Sequence, residues 1–347
     1  MNACVEKAPT LVCVDALAGV PAFVRDRYGA KVLREANRAI SLDIERLEGH
    51  DCFITHATML AFLESIARQT GESNLGLLLA PGLEFRRYGV WARHVLGAHT
   101  LGAAIQRARR TLGYHSQGDR MRLAVAGGTA HFTYLSAARG CVGYRHDALG
   151  TVAVMVSLCQ DYLTSGWRPL RIELDIPRPE DARSHEDLFQ CPVRFDMPAI
   201  ALVMEAAVLL RRRPVEDRAV PVTVGDVARA RLDPVTRAHP LGVIVACIRT
   251  QVLAGRVSID GTAHALDTST RSLQRGLNAM GIRYRDIVNR ARCEHAAELL
   301  RDRTLRVHEI AEALGYSSPT HLCRAFRKAA GMPPMRYRAS LAGAEGR

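Results

Sequence analysis

No stretch of this chain is apolar for long enough to cross a bilayer. A spanning helix needs about 20 apolar residues, and the longest nearly apolar run, Ala199–Leu210, is short and contains Glu205. The N-terminus, MNACVEKAPT, lacks the basic-then-apolar order of a secretory leader. The nine cysteines are odd in number and scattered, with no C-x-x-C pair. Reduced thiols explain that better than a zinc site or a disulfide framework. Catalytic signatures are missing too: the chain has no G-x-S-x-G, H-E-x-x-H, P-loop or G-x-G-x-x-G. A cytoplasmic, non-enzymatic protein is expected, with no cofactor, no metal and no membrane partner.

What is present is a chain of 347 residues, 48% of them hydrophobic. That is enough for two or three domains with real cores. The formal net charge is +12, and it is unevenly spread. From Leu241 to Arg347 there are 17 basic and 9 acidic residues, which is two thirds of the excess in the last third of the chain. A concentrated positive field points to a polyanionic partner, although a solvated basic surface has the same composition.

The first 210 residues mix two periodicities. Thr55–Gly71 carries Leu60, Leu63, Ile66 and Ala67 at helical spacing and stops at a glycine. Thr100–Gly113 repeats that pattern, and Ala148–Thr164 is helical and strongly apolar. Arg120–Val125 and Ala130–Leu135 alternate around Gly127-Gly128, which predicts a β-hairpin. Leu170–Ile176 alternates again up to Pro177. The expected fold here is α+β with a mainly antiparallel sheet, over residues 1–213. Arg211-Arg212-Arg213-Pro214 then opens a proline-marked connector, 214–239, with a short helix around Val224–Leu232. Residues 240–340 read as all helix.

That helical part contains a repeat. Ala265-Leu266 corresponds to Ala313-Leu314 at an offset of 48, and Leu273 and Leu277 to Leu322 and Phe326 at 49. Each copy, about 258–281 and 307–331, reads helix, tight turn, helix. Tyr284–Arg301 lies between them as a helical strut, with Ile287, Val288, Ala291, His295 and Leu299 on one stripe. In the second copy Ile310, Ala311 and Leu314 face inward, and Gly315 makes the turn. Ser317 or Ser318 caps the next helix, with Pro319 in its first turn. Leu322, Ala325, Phe326 and Ala329 then fall inside, and Thr320, His321, Arg324 and Lys328 outside. In the first copy Leu273, Leu277 and Met280 are expected inside, and Arg271, Gln274, Arg275 and Asn278 outside.

Neither outer face carries an acidic residue. Arginine pairs with guanine and glutamine with adenine in the major groove, and the N-terminal part of such a helix reaches base edges. The candidate DNA contacts are therefore Arg271, Gln274, Arg275, Thr320, His321 and Arg324.

Residues 309–338, EIAEALGYSSPTHLCRAFRKAAGMPPMRYR, and 272–300, SLQRGLNAMGIRYRDIVNRARCEHAAELL, resemble the C-terminal domain of AraC/XylS-type transcription regulators. The resemblance covers about 100 residues and maps the family's base-reading positions onto the same six candidates. The first repeat departs from the pattern at Gly261, at Asp267, where the turn usually has glycine, and at Gly276 inside its second helix. NLGLLL at 74–79, YGVWARHVLGAHTLGAAIQRARR at 88–110 and LFQCPVRFDMPAIALVMEAAVLL at 188–210 are similar to the sensor domain of ornithine-utilisation-type regulators. The resemblance implies a ligand-sensing, dimerising domain. The implied partners are double-stranded promoter DNA, RNA polymerase, a second copy of the chain and an effector of unknown identity. An activator is the implied mode. An enzyme or DNA-repair protein fused to the same DNA-binding module, or a constitutive architectural binder, stays open. The repair reading needs a cysteine metal cluster or a Pro-Cys-His core, and the sequence has neither.

Several residues have plain structural readings. Trp91 and Trp167 are expected in the core before an effector pocket. Tyr114-His115-Ser116 reads as a helix-to-strand turn, and His185-Glu186-Asp187 as a solvated helix start. Cys247 is expected in the core, with Cys293 and Cys323 partly buried.

Overall fold

The computed structural model describes residues 9–214, 222–230 and 240–344. The first eight residues and most of the 214–239 connector lie outside the described residues. Two compact units emerge, one of residues 1–40 and 48–237, the other of 41–47 and 238–347.

In the first unit a sheet of five strands has the order β3-β4-β7-β5-β6. Its members are β3 (Arg120–Ala126), β4 (Thr129–Leu135), β5 (Arg171–Glu173), β6 (Val193–Arg194) and β7 (Ile200–Glu205). All pairs are antiparallel except β5 with β6. The predicted hairpin forms as β3 and β4, and Gly127 and Gly128 both have positive φ, +56° and +79°. That is the backbone a tight hairpin turn demands and the reason for two glycines. Along β4, alternate residues Ala130, Phe132 and Tyr134 face the core. A separate two-stranded ribbon pairs β1 (Leu11–Cys13) with β2 (Phe53–Thr55).

Helices fill in around these strands. The unit opens with α1 (Val20–Tyr28) and α2 (Ala30–Ala39), while α3 (Ile44–Leu47) falls among the residues of the second unit. The Thr55–Gly71 prediction appears as α4 (His56–Thr70): the Thr55 hydroxyl accepts from the Thr58 amide, and Gly71 closes the helix at φ +71°. After α5 (Leu75–Leu79) and α6 (Gly89–Leu96) comes α7 (Leu101–Thr111), capped by Thr100. The apolar helix α8 (Tyr144–Gln160) is buried on most of its circumference and packs on β7 and α4. Then follow α9 (Ala182–Phe189) and α10 (Val224–Ala230), the latter inside the expected connector.

The second unit continues with α11 (Pro240–Leu253), α12 (Ile259–Ala265), α13 (Thr270–Ala279), α14 (Tyr284–Leu299), α15 (Val307–Ala313), α16 (Pro319–Ala330) and α17 (Pro334–Ala344). One core joins them, from Ile248 through Leu273, Leu277, Ala291 and Ala296 to Leu322 and Phe326. Burying one such leucine or phenylalanine contributes roughly 1.5–3 kcal/mol. The long strut α14 runs through this core, so both repeats are seated on one rigid element.

No helix among the described residues is long and apolar enough to cross a membrane. One sequence expectation fails. Cys141 is joined in a disulfide, whereas Cys13, Cys52, Cys159, Cys191, Cys247, Cys293 and Cys323 form none. Spacing along the chain carries no information about which thiols the fold brings together.

Candidate functional site

The two helical repeats share one backbone design. In the second, the Glu309 carboxylate accepts from the Arg306 amide and starts α15. The chain then leaves α15 through Gly315 at φ +68°, with the Tyr316 amide donating to the Ala311 carbonyl at 2.9 Å. The Ser318 hydroxyl caps α16 by accepting from the His321 amide at 3.3 Å, and Pro319 occupies the first turn. In the first repeat, Asp267 takes the turn at φ +50°, and the Thr268 amide donates to Ala263 at 2.9 Å. The Ser269 hydroxyl caps α13 from the Ser272 amide.

These turns decide what α13 and α16 present. Arg271, Gln274, Arg275 and Asn278 on α13 are exposed, as are Thr320, His321, Arg324 and Lys328 on α16. The inner faces, Leu273 and Leu277, Leu322 and Phe326, are buried. His321 Nδ1 lies 2.7 Å from the Ser317 hydroxyl, which holds the ring at the helix start. Two inward expectations are corrected: Met280 is 38% exposed, and Ala329 is exposed. Both lie at or near the last turn of their helices, beyond the reach of the shared core.

Arginines brace the second repeat. Arg292 of α14 stacks over the Tyr316 ring at 5.3 Å, against the Gly315 turn. Arg338 of α17 donates to the carbonyls of Leu300, Asp302 and Leu305 at 3.1, 3.3 and 2.7 Å. It thereby holds the segment between α14 and α15. Gly261 has a packing reason: a Cβ there would lie 3.0 Å from the Ser258 hydroxyl and 3.1 Å from Gln251 Nε2. The Gln251 Oε1 accepts from the Ser258 amide at 3.0 Å. At Gly276 a Cβ meets nothing within 4 Å.

The first unit holds a small cavity of about 70 Å³ between α4, α6, α8 and the sheet. Most of its wall is apolar, including Leu17, Met59, Phe85, Phe132 and Met155. An aromatic cluster closes one side: the His115 ring lies 4.6 Å from Tyr88 and 4.5 Å from Trp91, which are 6.2 Å from each other. Opposite polarity comes from a buried cluster. His56 Nε2 sits 3.0 Å from the Ser116 hydroxyl and 3.5 Å from Asp119 Oδ2. Asp119 also accepts from Ser116 at 2.5 Å, from the Ala137 amide at 2.7 Å, and from the Tyr134 hydroxyl.

Burial opposes charge on both His56 and Asp119. Their mutual hydrogen bond and attraction outweigh it, raising His56 and lowering Asp119 from their ordinary values. Asp147, also in the wall, accepts no hydrogen bond among the described residues. Burial pushes it up to about 7. His146 goes the other way, down to about 4, because burial and then Arg145 disfavour its charged form. Among the described residues, no group of three His, Cys, Asp or Glu is placed to hold a metal ion.

Two family matches divide the chain as the geometry does. Residues 32–213, more than half of the chain, match the arabinose-binding domain of AraC transcription regulators, N-terminal part. Residues 262–340 match a helix-turn-helix domain. The chain belongs to the AraC-type transcription regulators. An ornithine utilization regulator of Pseudomonas aeruginosa is 26% identical over 268 residues, 77% of this chain and 79% of that one. The regulator VirS of Mycobacterium tuberculosis is 38% identical over 104 residues, 30% of each chain. The crystal structure of the transcriptional regulator CdpR of Pseudomonas aeruginosa is 25% identical, with a TM-score of 0.41, covering 88% of this chain and 97% of that one.

For an AraC-type regulator the helix-turn-helix geometry is the legible part. The cavity was not foreseen from the sequence. Trp91, 1% exposed, is in the core as expected and also lines the cavity, whereas Trp167 is only half-buried and does not line it. His115 and Ser116 do sit in a helix-to-strand turn, yet they also join the aromatic and His56 clusters. His185 is 1% exposed and packs edge-on against Phe195 at 5.3 Å, not solvated as expected.

Proposed function

We propose that this chain is a homodimeric activator in the cytoplasm that binds promoter DNA and recruits RNA polymerase when an effector occupies the first unit. Arg271, Gln274, Arg275, Thr320, His321 and Arg324 are the base- and backbone-reading residues. The supporting observation is the pair of Ser-capped helices α13 and α16, whose exposed faces hold arginine, glutamine, threonine and histidine and no acid. Seated on one strut, the two helices suit successive major grooves on one face of the duplex, about 34 Å apart. The regulator carries out no chemical step in this reading. An effector acts by favouring the DNA-competent arrangement over the other.

The test is binding to promoter fragments against scrambled duplex across a salt series. Sequence preference together with affinity falling steeply with salt is expected, because each phosphate contact releases counterions. A flat salt response with no sequence preference would overturn the reading.

A further inference from the structure

The cavity of the first unit carries two carboxylates, and only one has a partner. Asp119 is matched by His56 and three further donors. Asp147 is half-buried and accepts no hydrogen bond among the described residues, although a carboxylate drawn out of water without a donor is costly. No lysine or arginine is among the described residues lining this space. The aromatic side chains of Tyr88 and Trp91 and a large apolar wall line it. An aromatic face attracts a cation, and an unmatched carboxylate demands one.

We infer that the cavity is built for a small organic monocation, a protonated amine on an alkyl body, whose nitrogen is met by Asp147. This rests on the reading of the first unit as an effector domain and names the class of ligand. An acid group on the ligand would meet the carboxylate of Asp147, while His56, the cationic group of the wall, is already matched by Asp119. At about 70 Å³ the cavity is near half the roughly 150 Å³ that admits benzene. The closed space suits an amine with a body of a few carbons, and larger bodies require the apolar wall to give.

Binding is tied to a proton. Burial holds the carboxyl of Asp147 protonated up to about pH 7 when nothing is bound. Around it stand His56, Asp119, Tyr88, His115, Tyr134 and, beyond the cavity wall, Asp175. His146 on the same helix stays neutral above about 4. A cation binds the ionised form, so uptake releases the proton and affinity rises with pH through 7.

The experiment is calorimetric titration of the full chain with ethylamine and isobutylamine, beside ethanol, isobutanol, acetate and isobutyrate. The amines are expected to bind at least tenfold tighter than the alcohols, with no binding of the acids. Asp147→Asn, which keeps the shape, removes that tenfold advantage, and wild-type amine affinity rises between pH 6 and 8. Equal binding of amine and alcohol, binding of the acids, amine binding untouched in Asp147→Asn, or no binding at all would each overturn the ligand class. Promoter affinity measured with and without the amine tests the other reading separately. An amine that binds through Asp147 and leaves promoter affinity unchanged confirms the site and removes its role as an effector.

Discussion

Asp267 and Gly315 hold the same turn in the two repeats, both in the left-handed region, at φ +50° and +68°. The next amide closes each turn in the same way, Thr268 on Ala263 and Tyr316 on Ala311, both at 2.9 Å. Glycine adopts this backbone freely. A residue with a Cβ does so at a cost of about 1–2 kcal/mol, reduced for aspartate. The first repeat therefore carries a small strain that the second lacks. Asp267→Gly is expected to raise the unfolding midpoint of the helical unit, by about 0.5 kcal/mol, and Asp267→Val to lower it by about 1–2 kcal/mol. Urea melts followed by circular dichroism compare the three, and a destabilised Asp267→Gly would show that Asp267 does something beyond filling the turn.

Gly276 sits mid-helix in α13, exposed, with open space where a Cβ would go. Gly276→Ala is expected to stabilise by about 1 kcal/mol. Gly261→Ala is the contrast, because its Cβ would meet Ser258 and Gln251. It is expected to be neutral or destabilising in the same melt.

On α16, Arg324 and Lys328 are both exposed on the outer face. Arg324→Ala is expected to cost about 1–3 kcal/mol on the preferred operator and to relax selectivity at one position. Lys328→Ala is expected to weaken all sequences alike and to reduce the salt slope by about 1. Competition titrations against single-base variants of the operator read both. A uniform loss for Arg324→Ala would make it a phosphate contact.

Arg338 spans three carbonyls between the strut and the second repeat. Its removal leaves them without a charged donor, at a cost of about 1–3 kcal/mol. Arg338→Lys should rescue little, because one ammonium cannot reproduce the planar fork. Thermal melts of both variants with equal loss would fit, and full rescue by lysine would not.

Asp147 is expected to make stability depend on pH. Its carboxyl titrates near 7 in the folded chain and near 3.8 unfolded. Between these values the folded state binds the extra proton, so stability falls as pH rises from about 4 to 7 and is then level. Asp147→Asn removes that penalty and should raise the melting temperature more at pH 8 than at pH 5. The His56–Asp119 pair acts in the opposite sense at each end. Asp119, lowered, contributes stability that is lost as pH falls through its folded value, and His56, raised, contributes stability lost as pH rises through its own. Melts of the Asn variant across pH 4–9 isolate the Asp147 part, and equal gains at pH 5 and 8 would contradict it.

Much of the DNA-facing half was legible before any coordinates. Period 3.6 sorted Leu273, Leu277, Leu322 and Phe326 inward and the six candidate contacts outward, and the serine caps followed from local hydrogen bonding. Met280 and Ala329 broke the rule because periodicity assigns a face without saying where the neighbouring core ends. The cavity left almost no trace in the sequence. His56, His115, Asp119 and Asp147 come from separate elements and meet only because β1, β2, α4 and α8 pack around one space.

By itself, then, the sequence determined what depends on neighbours three or four residues away: helices, caps, turns and the charge of a surface. Tertiary structure alone decided the disulfide at Cys141, the packing need at Gly261, the three-carbonyl grip of Arg338, and the pairing of Asp119 that leaves Asp147 without a partner. Each of these depends on distance through space, and on the removal of water from charges that the linear chain leaves solvated.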